Sequence, residues 1–289
     1  MHTTSTREFL GLERAAEDRQ WRLPVTERIT GGRRGSLFGG AGLAAGIVAL
    51  EEATGKPVVW ATGQYLGTME PPVVLDLEVQ LPAVGRSVTQ ARVRGHLEDQ
   101  EIITIVGAGG RRREVVRGVW DRMPDAPHPD QCVPARDVLE RECVHAHVDT
   151  RLARGMFGFV GSGEVSGDER AWVWTRMPEV CHDSAAIALM ADYMAAAVGN
   201  AVGRMAFCTS LDNTIRFATP ISAEPPDAGD DWVLCDTRIE FVGNGFAHGT
   251  CLMWSMRGEL LATASQSMTV LIPDADGAGQ APDKGQVAR

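Results

Sequence analysis

The chain has 289 residues, of which 44% are hydrophobic and 23% are charged, and its formal net charge is −10. This composition is typical of a globular protein with one large domain or two of ordinary size. The acidic balance argues against nucleic acid as the main partner. The first residues lack the pattern of a signal peptide, and we find no run of about 18 apolar residues. We therefore expect no membrane span and a cytoplasmic location.

The first strongly apolar segment is Phe38–Glu52, which predicts a helix buried on nearly all sides. The segments after it are strand-like, and a turn at 98–100 joins the last two in the manner of a hairpin. The predicted strands are Val58–Gln64, Val73–Gln80, Ser87–His96 and Ile102–Gly107.

The second strongly apolar segment, Ser184–Val198, starts about half a chain length later. It is rich in Ala and Met and free of Gly and Pro, so it also predicts a buried helix. Strand-like segments again follow it: Thr214–Phe217, Trp232–Val242, Ala247–Met256 and Leu260–Ile272.

An apolar helix followed by antiparallel strands, given twice, predicts a duplicated α+β unit. Each helix is buried on all sides if its sheet wraps around it, which is the hotdog fold, here in tandem. We place the first hotdog at 8–111, a proline-rich linker at 112–138, and the second hotdog at 139–272. The tail at 273–289 is expected to be disordered. Hotdog sheets commonly pair edge to edge, which a tandem chain can satisfy internally, and we expect a homo-oligomer built on top of that pairing.

Asp192 is the only charged residue in the second apolar helix. Burial of a carboxylate without a partner costs several kcal/mol or forces the group to become neutral. The sequence therefore predicts that Asp192 either has hydrogen-bonding partners or is kept for chemistry.

Three other patterns suggest chemistry less strongly. The spacing Gly40-x-Gly42-x-x-x-Gly46 does not match a dinucleotide-binding fingerprint, and small residues that let a helix approach a sheet explain it better. A glycine-flanked Ser162 lacks the surrounding motif of a serine nucleophile.

The third pattern is Cys143-Val-His145-Ala-His147-Val-Asp149, which on a strand places four potential zinc ligands on one face. Four positions along one strand cannot surround a single ion, so we interpret the segment as the polar outer face of a strand. We expect no metal site.

Polar residues in two later segments are candidate partners for Asp192. Ser210 precedes a predicted strand, and Gln266 lies in the last one. A carboxylate, a hydroxyl and an amide together can position a water and accept its proton. The residues alone leave open, and favour, the simpler interpretation that Ser210 is a strand or turn hydroxyl and Gln266 an ordinary outward side chain.

Taken together, four stretches resemble the acyl-CoA thioesterase II family, whose members are tandem hotdog proteins that hydrolyse fatty acyl-CoA. The resemblance covers roughly residues 8–272, and Phe9-Leu-Gly-Leu12 also fits the family's start. The stretches are Leu37-Phe-Gly-Gly40, Met190-Ala-Asp192, Ser210-Leu-Asp-Asn213 and Leu261-Ala-Thr-Ala-Ser-Gln266.

The resemblance implies an acyl-CoA substrate and a thioester hydrolase that needs no metal or redox cofactor. It also implies that Asp192, Ser210 and Gln266 are the catalytic residues that activate a water. The chain departs from the family pattern at Ala41, where Gln is usual, and at Asn213, where His is usual. Both positions are candidates to line the acyl or CoA path.

Two alternatives remain at this point. One is a catalytically silent protein that binds an acyl group or acyl-CoA, which the departures at Ala41 and Asn213 favour. The other is an enoyl-CoA hydratase of the double-hotdog type, which we consider less because the sequence lacks an Asp-x-Asn-Pro-x-His stretch.

Overall fold

The computed structural model describes residues 4–32, 34–135, 142–156, 167–218, 220–221 and 231–273. The glycine-flanked Ser162 and all but the first residue of the predicted disordered tail lie outside these ranges.

The first half contains two α-helices, α1 and α2. Helix α2 begins one residue after the start of the predicted segment and ends two residues after its last residue. The next residue, Gly55, has a left-handed conformation and terminates the helix. The helices are α1 (Thr6–Leu10) and α2 (Gly39–Thr54), and the strands are β1 (Glu13–Arg14), β2 (Gln20–Val25), β3 (Thr30–Gly31), β4 (Ser36–Leu37), β5 (Val58–Tyr65), β6 (Val73–Val84), β7 (Val88–Leu97) and β8 (Gln100–Gly110).

The second half repeats one long helical run and a set of long strands. The chain from residue 129 onward also contains three 3₁₀ segments, at Pro129–Gln131, Val144–His147 and Asp192–Ala197. The helices are α3 (Ser184–Ala191) and α4 (Val198–Val202), and the strands are β9 (Val133–Pro134), β10 (Asp149–Arg154), β11 (Arg170–Arg176), β12 (Phe207–Phe217), β13 (Val233–Gly243), β14 (Phe246–Ser255) and β15 (Leu260–Leu271).

The two halves share one antiparallel sheet of 13 strands, in the order β1-β2-β6-β7-β8-β5-β12-β15-β14-β13-β11-β10-β9. Strand β5 of the first half pairs directly with β12 of the second, so the halves join edge to edge within the chain. Burial of both edges removes two unpaired strands from solvent. The sheet around buried helices confirms the predicted α+β tandem hotdog.

Helices α2 and α3 pack side by side and run antiparallel. Gly40, at the start of α2, contacts Leu189 and Asp192 at the end of α3. At the other end of the pair, Glu51 of α2 interacts with Ser184, the first residue of α3. A methyl group on Gly40 would stand 2.7 Å from the carbonyl oxygen of Leu189, so this close approach requires glycine.

The second apolar segment is not one regular helix. Its α-helical part ends at Ala191, and a tighter 3₁₀ run begins at Asp192 and continues to Ala197 before α4 starts. Propensity predicts the helical run but not this change of winding, which begins where Asp192 is bonded to residues outside its own helix.

The helical run 184–202 is long and apolar enough to pass a length and composition test for a membrane span. The prediction that no such run exists is therefore wrong. In the folded protein 72% of the most apolar window is buried, because the run is the central helix of the second half.

The prediction of a strand at Cys143–Asp149 is also wrong. Residues Val144–His147 form a 3₁₀ turn, and only Asp149 begins a strand, β10. Both histidines face neighbouring side chains: His145 contacts Tyr193, and His147 contacts Glu142. In the described ranges, no cluster of three or more His, Cys, Asp or Glu residues is arranged to hold a metal ion.

Replacing Gly40 by Ala should destabilise the protein by about 1–3 kcal/mol, because the new methyl group forces α2 away from α3. The measurement is the midpoint of urea unfolding. Gly42→Ala is the matched control in the same helix, because there the nearest atoms, 3.2 Å and 3.6 Å away, are the ends of flexible Ile103 and Leu37 side chains. The control should be neutral or slightly stabilising, since Ala favours helix over Gly. Equal effects at both positions would contradict the packing argument.

Candidate active site

Asp192 is buried, with 4% of its surface exposed, and its carboxylate accepts three hydrogen bonds from three different elements. The backbone N–H of Gly40 in α2 donates to Oδ2 at 2.6 Å. The side-chain amides of Asn213 in β12 and Gln266 in β15 donate to Oδ1, at 3.1 Å and 2.5 Å. The carboxylate that stands alone in the sequence thus has three hydrogen-bond partners in the fold.

The bond from Gly40 also caps helix α2. The N-terminal N–H groups of a helix have no partner within the helix and carry its positive dipole end. The N-cap residue of α2, Phe38, has no side chain able to fill that role, and Asp192 supplies the acceptor from the other half of the chain.

Ser210 reaches the site through Gln266. The Nε2 group of Gln266 donates to Ser210 Oγ at 2.8 Å as well as to Asp192, so one amide group joins the hydroxyl to the carboxylate. The structure therefore brings Asp192, Ser210 and Gln266 together, and the interpretation of Gln266 as an outward side chain is wrong.

A β-bulge explains how Ser210 and Asn213 face the same side. Three positions apart on a regular strand, they would point to opposite faces. The pairing of β12 with β15 shifts register between Ser210 and Asp212, and the extra residue at Leu211 restores a common face. The Asp212 carboxylate accepts the N–H of Ser267 at 2.8 Å and thereby satisfies the backbone beside the bulge.

Asn213 is the partner that the sequence analysis missed. The departure from His to Asn at this position suggested a residue of the acyl or CoA path, but Asn213 is fully buried and donates directly to Asp192. It stands opposite Gln266 in the β12–β15 ladder, and this cross-strand register was the signal that would have found it. Ala41, the other departure, is buried in α2.

Burial raises the pKa of Asp192 from its ordinary 3.8 to about 6, although the hydrogen bonds from Gly40, Asn213 and Gln266 act in the opposite direction. A carboxylate with such a pKa is ionised at neutral pH and is a stronger base than an exposed aspartate. This is the range in which a general base works best.

A small cavity lies beside this carboxylate, at the start of α2. Its volume is about 30 Å³, and Tyr65 and Gly39 separate it from Asp192. The rest of its lining is apolar and comes from the first half: Leu37, Gly42, Gly67, Met69, Ile102 and Ile103. The base belongs to the second half and the cavity to the first, so the candidate site forms where the halves meet.

Residues 124–270 match the model of the acyl-CoA thioesterase C-terminal domain, which is half of the chain. The chain belongs to the acyl-CoA thioesterase family. The match contains Asp192, Ser210, Asn213 and Gln266, so all four polar side chains of the site lie in the family's domain. It confirms the family resemblance drawn from the sequence motifs.

Solved structures of similar fold extend the likeness over nearly the whole chain. A candidate thioesterase from Novosphingobium aromaticivorans is 29% identical, with a TM-score of 0.77, and the match covers 89% of this chain and 97% of that one. An acyl-CoA thioesterase II from Mycobacterium marinum is 21% identical, with a TM-score of 0.70 and coverage of 96% and 99%. A hotdog protein from Alicyclobacillus acidocaldarius is 19% identical, with a TM-score of 0.77 and coverage of 94% and 100%. A search among curated proteins gives no match.

The buried carboxylate makes the stability of the thioesterase-family fold depend on pH in a defined direction. The folded-state pKa of Asp192 is about 6, above its ordinary 3.8, so the folded protein binds the proton more tightly than the unfolded chain does. Raising the pH from about 4 to about 7 should therefore lower the free energy of unfolding, relative to Asp192→Asn, by about 2 kcal/mol. Chemical denaturation of both proteins across this range measures the difference. A difference that stays constant with pH would contradict the buried titration.

Proposed function

We propose that this protein hydrolyses an acyl-CoA to a free acid and CoA, with Asp192 as general base toward a water. The observation that carries the proposal is a buried carboxylate at the junction of the two halves, with a pKa of about 6 and a cavity nearby. The family supports thioester hydrolysis in general, and the geometry supports this particular mechanism.

The unpartnered atoms around Asp192 support a bound water. The amide oxygens of Asn213 and Gln266, Oδ1 and Oε1, are buried and have no hydrogen-bond partner in the part of the chain that the structure describes. Burial of an unpaired acceptor costs about 1–3 kcal/mol. A water that donates one proton to Asp192 and the other to an amide oxygen satisfies such an acceptor.

The reaction follows from this arrangement without an acyl-enzyme. The water's lone pair attacks the thioester carbon while Asp192 takes its proton. The tetrahedral intermediate then collapses, the C–S bond breaks, and the CoA thiolate takes the proton back from Asp192. Ser210 and Gln266 fix the position of the water and of the carboxylate, so in this proposal the predicted trio is joined by Asn213.

We extend the proposal to the cellular location and the oligomeric state of the protein. An acyl-CoA substrate and the fold of the relatives are compatible with a cytoplasmic homo-oligomer, as predicted from the sequence. The family does not define the acyl chain.

Asp192→Asn should lower kcat/KM for acyl-CoA hydrolysis by about 10²–10⁴-fold, because the amide cannot accept the water's proton. Release of CoA thiol from a panel of acyl-CoAs, read with a thiol reagent, is the measurement. Asp76→Asn removes an exposed carboxylate of the first half and should leave the rate unchanged. Undiminished hydrolysis by Asp192→Asn would overturn the base assignment, and binding without thiol release by the unmodified protein would favour the silent acyl-binding alternative.

The pH profile gives a second test of Asp192. Below a pH of about 6, kcat/KM should fall about tenfold per pH unit as the base becomes protonated. Asn213→Leu removes a donor to the carboxylate, which raises its pKa, and should move this limb to higher pH. Thr214→Val, which removes a hydroxyl bonded to Thr62 on the neighbouring strand, is the control and should leave the limb in place. A limb that Asn213→Leu does not move would mean that another group titrates.

A further inference from the structure

Tyr65 has a buried hydroxyl that no protein group satisfies. Its Oη has no hydrogen-bond partner among the residues that the structure describes, whereas buried polar atoms are nearly always paired. Tyr65 is the last residue of β5 and lies on the face that points toward the candidate site. Gly63, two positions earlier, stands opposite Asn213 in the β5–β12 ladder, so Tyr65 and Asn213 share that face.

Gly39 lies next to both this hydroxyl and the base. A methyl group on Gly39 would stand 2.9 Å from Asp192 Oδ2 and 3.1 Å from Tyr65 Oη. The carboxylate and the phenol therefore border the same small space, without being bonded to each other. Tyr65 and Gly39 also line the apolar cavity of the first half, so the cavity reaches the two residues that lie next to the base.

The buried polar atoms of the site that have no partner differ in whether they accept or donate hydrogen bonds. Asn213 Oδ1 and Gln266 Oε1 are acceptors, which suit the protons of the attacking water. Tyr65 Oη can donate, and the thioester carbonyl needs a donor as negative charge develops on its oxygen. A hydrogen bond from this donor helps the reaction if it goes to the carbonyl oxygen. If it went to the water, it would occupy the lone pair that must attack the carbonyl carbon.

Three backbone amides in the first turn of α2, those of Gly40, Ala41 and Gly42, are already engaged. Gly40 donates to Asp192, and the N–H groups of Ala41 and Gly42 donate to the carbonyl of Phe38 at 3.0 Å and 3.1 Å. In this family member, these three amides therefore serve the base and the helix itself. The tyrosine hydroxyl is a donor beside Gly39 that has no partner among the described residues.

We propose that Tyr65 is a catalytic residue that donates its hydroxyl hydrogen bond to the carbonyl oxygen of the thioester. The inference rests on the proposed hydrolase function. As water adds to the carbonyl carbon, the C=O π electrons move to oxygen, and the Tyr65 O–H stabilises that charge while keeping its proton. When the C=O bond forms again, the C–S bond breaks and the thiolate leaves with the proton held by Asp192.

The electrostatics of Tyr65 fit a donor that stays protonated. Burial, with the nearby negative charges of Asp192 and Asp212, holds the pKa of the phenol well above its ordinary 10.0. The hydroxyl thus keeps its proton at neutral pH, where Asp192 is ionised.

The chain offers a matched pair of variants, because its two tyrosines are Tyr65 and Tyr193. The Tyr193 hydroxyl is bonded to His145 Nδ1 at 2.7 Å, whereas that of Tyr65 is unpaired. Tyr65→Phe should lower kcat about 100-fold with KM nearly unchanged, and should not lower Tm, because it removes only an unsatisfied group. Tyr193→Phe should do the reverse, with nearly unchanged kcat and a lower Tm.

The outcomes separate this inference from the proposed function. Hydrolysis by the unmodified protein, together with an unchanged kcat in Tyr65→Phe, would overturn the role of Tyr65 and leave Asp192 as base. A rise in KM with kcat unchanged would also overturn it, because the hydroxyl would then assist binding alone. If the unmodified protein releases no CoA, both proposals fail.

The pH profile and a spectroscopic measurement test the contact itself. The acid limb of Tyr65→Phe should stay where it is, because the hydroxyl is not bonded to Asp192; a shifted limb would indicate that Tyr65 acts through the base. The carbonyl stretch of a bound ketone analogue, with CH₂ in place of the thioester sulfur, should lie at lower frequency in the unmodified protein and in Tyr193→Phe than in Tyr65→Phe. Equal frequencies in all three proteins would contradict a hydrogen bond to the carbonyl.

Discussion

The hydrogen bond between the backbone N–H of Gly40 and the carboxylate of Asp192 is the contact on which the site depends. It joins the first turn of one central helix to the end of the other, and so fixes the two halves at the position of the base. The bond caps a helix that has no side-chain cap of its own, and it offsets part of the desolvation cost of the acid. Neither half alone holds both the carboxylate and the cavity.

The other end of the α2–α3 pair also holds a partly buried carboxylate, and its partners differ from those of Asp192. There Glu51 accepts the N–H of Val58 at 2.8 Å and interacts with Ser184, and burial raises its pKa. This carboxylate has partners from the start of β5 and from the start of α3, but the amide pair that surrounds Asp192 comes from the second half alone. Duplication therefore supplied two similar frameworks, of which one developed the set of polar groups described here.

Several features of the site lower the stability of the folded protein. The site contains a buried ionisable acid, two buried amide oxygens and one buried hydroxyl without partners among the described residues, and a bulge in a central strand. Each of these features lowers stability when taken alone. Their concentration within one small region, beside an apolar cavity, is typical of a site that is completed by a bound molecule.

The buried helices, the long strands, the tandem hotdog and the anomaly of Asp192 are predictable from local sequence, because they follow from the hydrophobic pattern and from the cost of burying a charge. Family motifs added Ser210 and Gln266. Tertiary structure decided the rest: the bulge that turns Ser210 and Asn213 to one face, the cap that Gly40 receives, and the approach of Tyr65 from the other half. These contacts join residues that are distant in the chain, and their register depends on how strands β5, β12 and β15 pair, which no local pattern specifies.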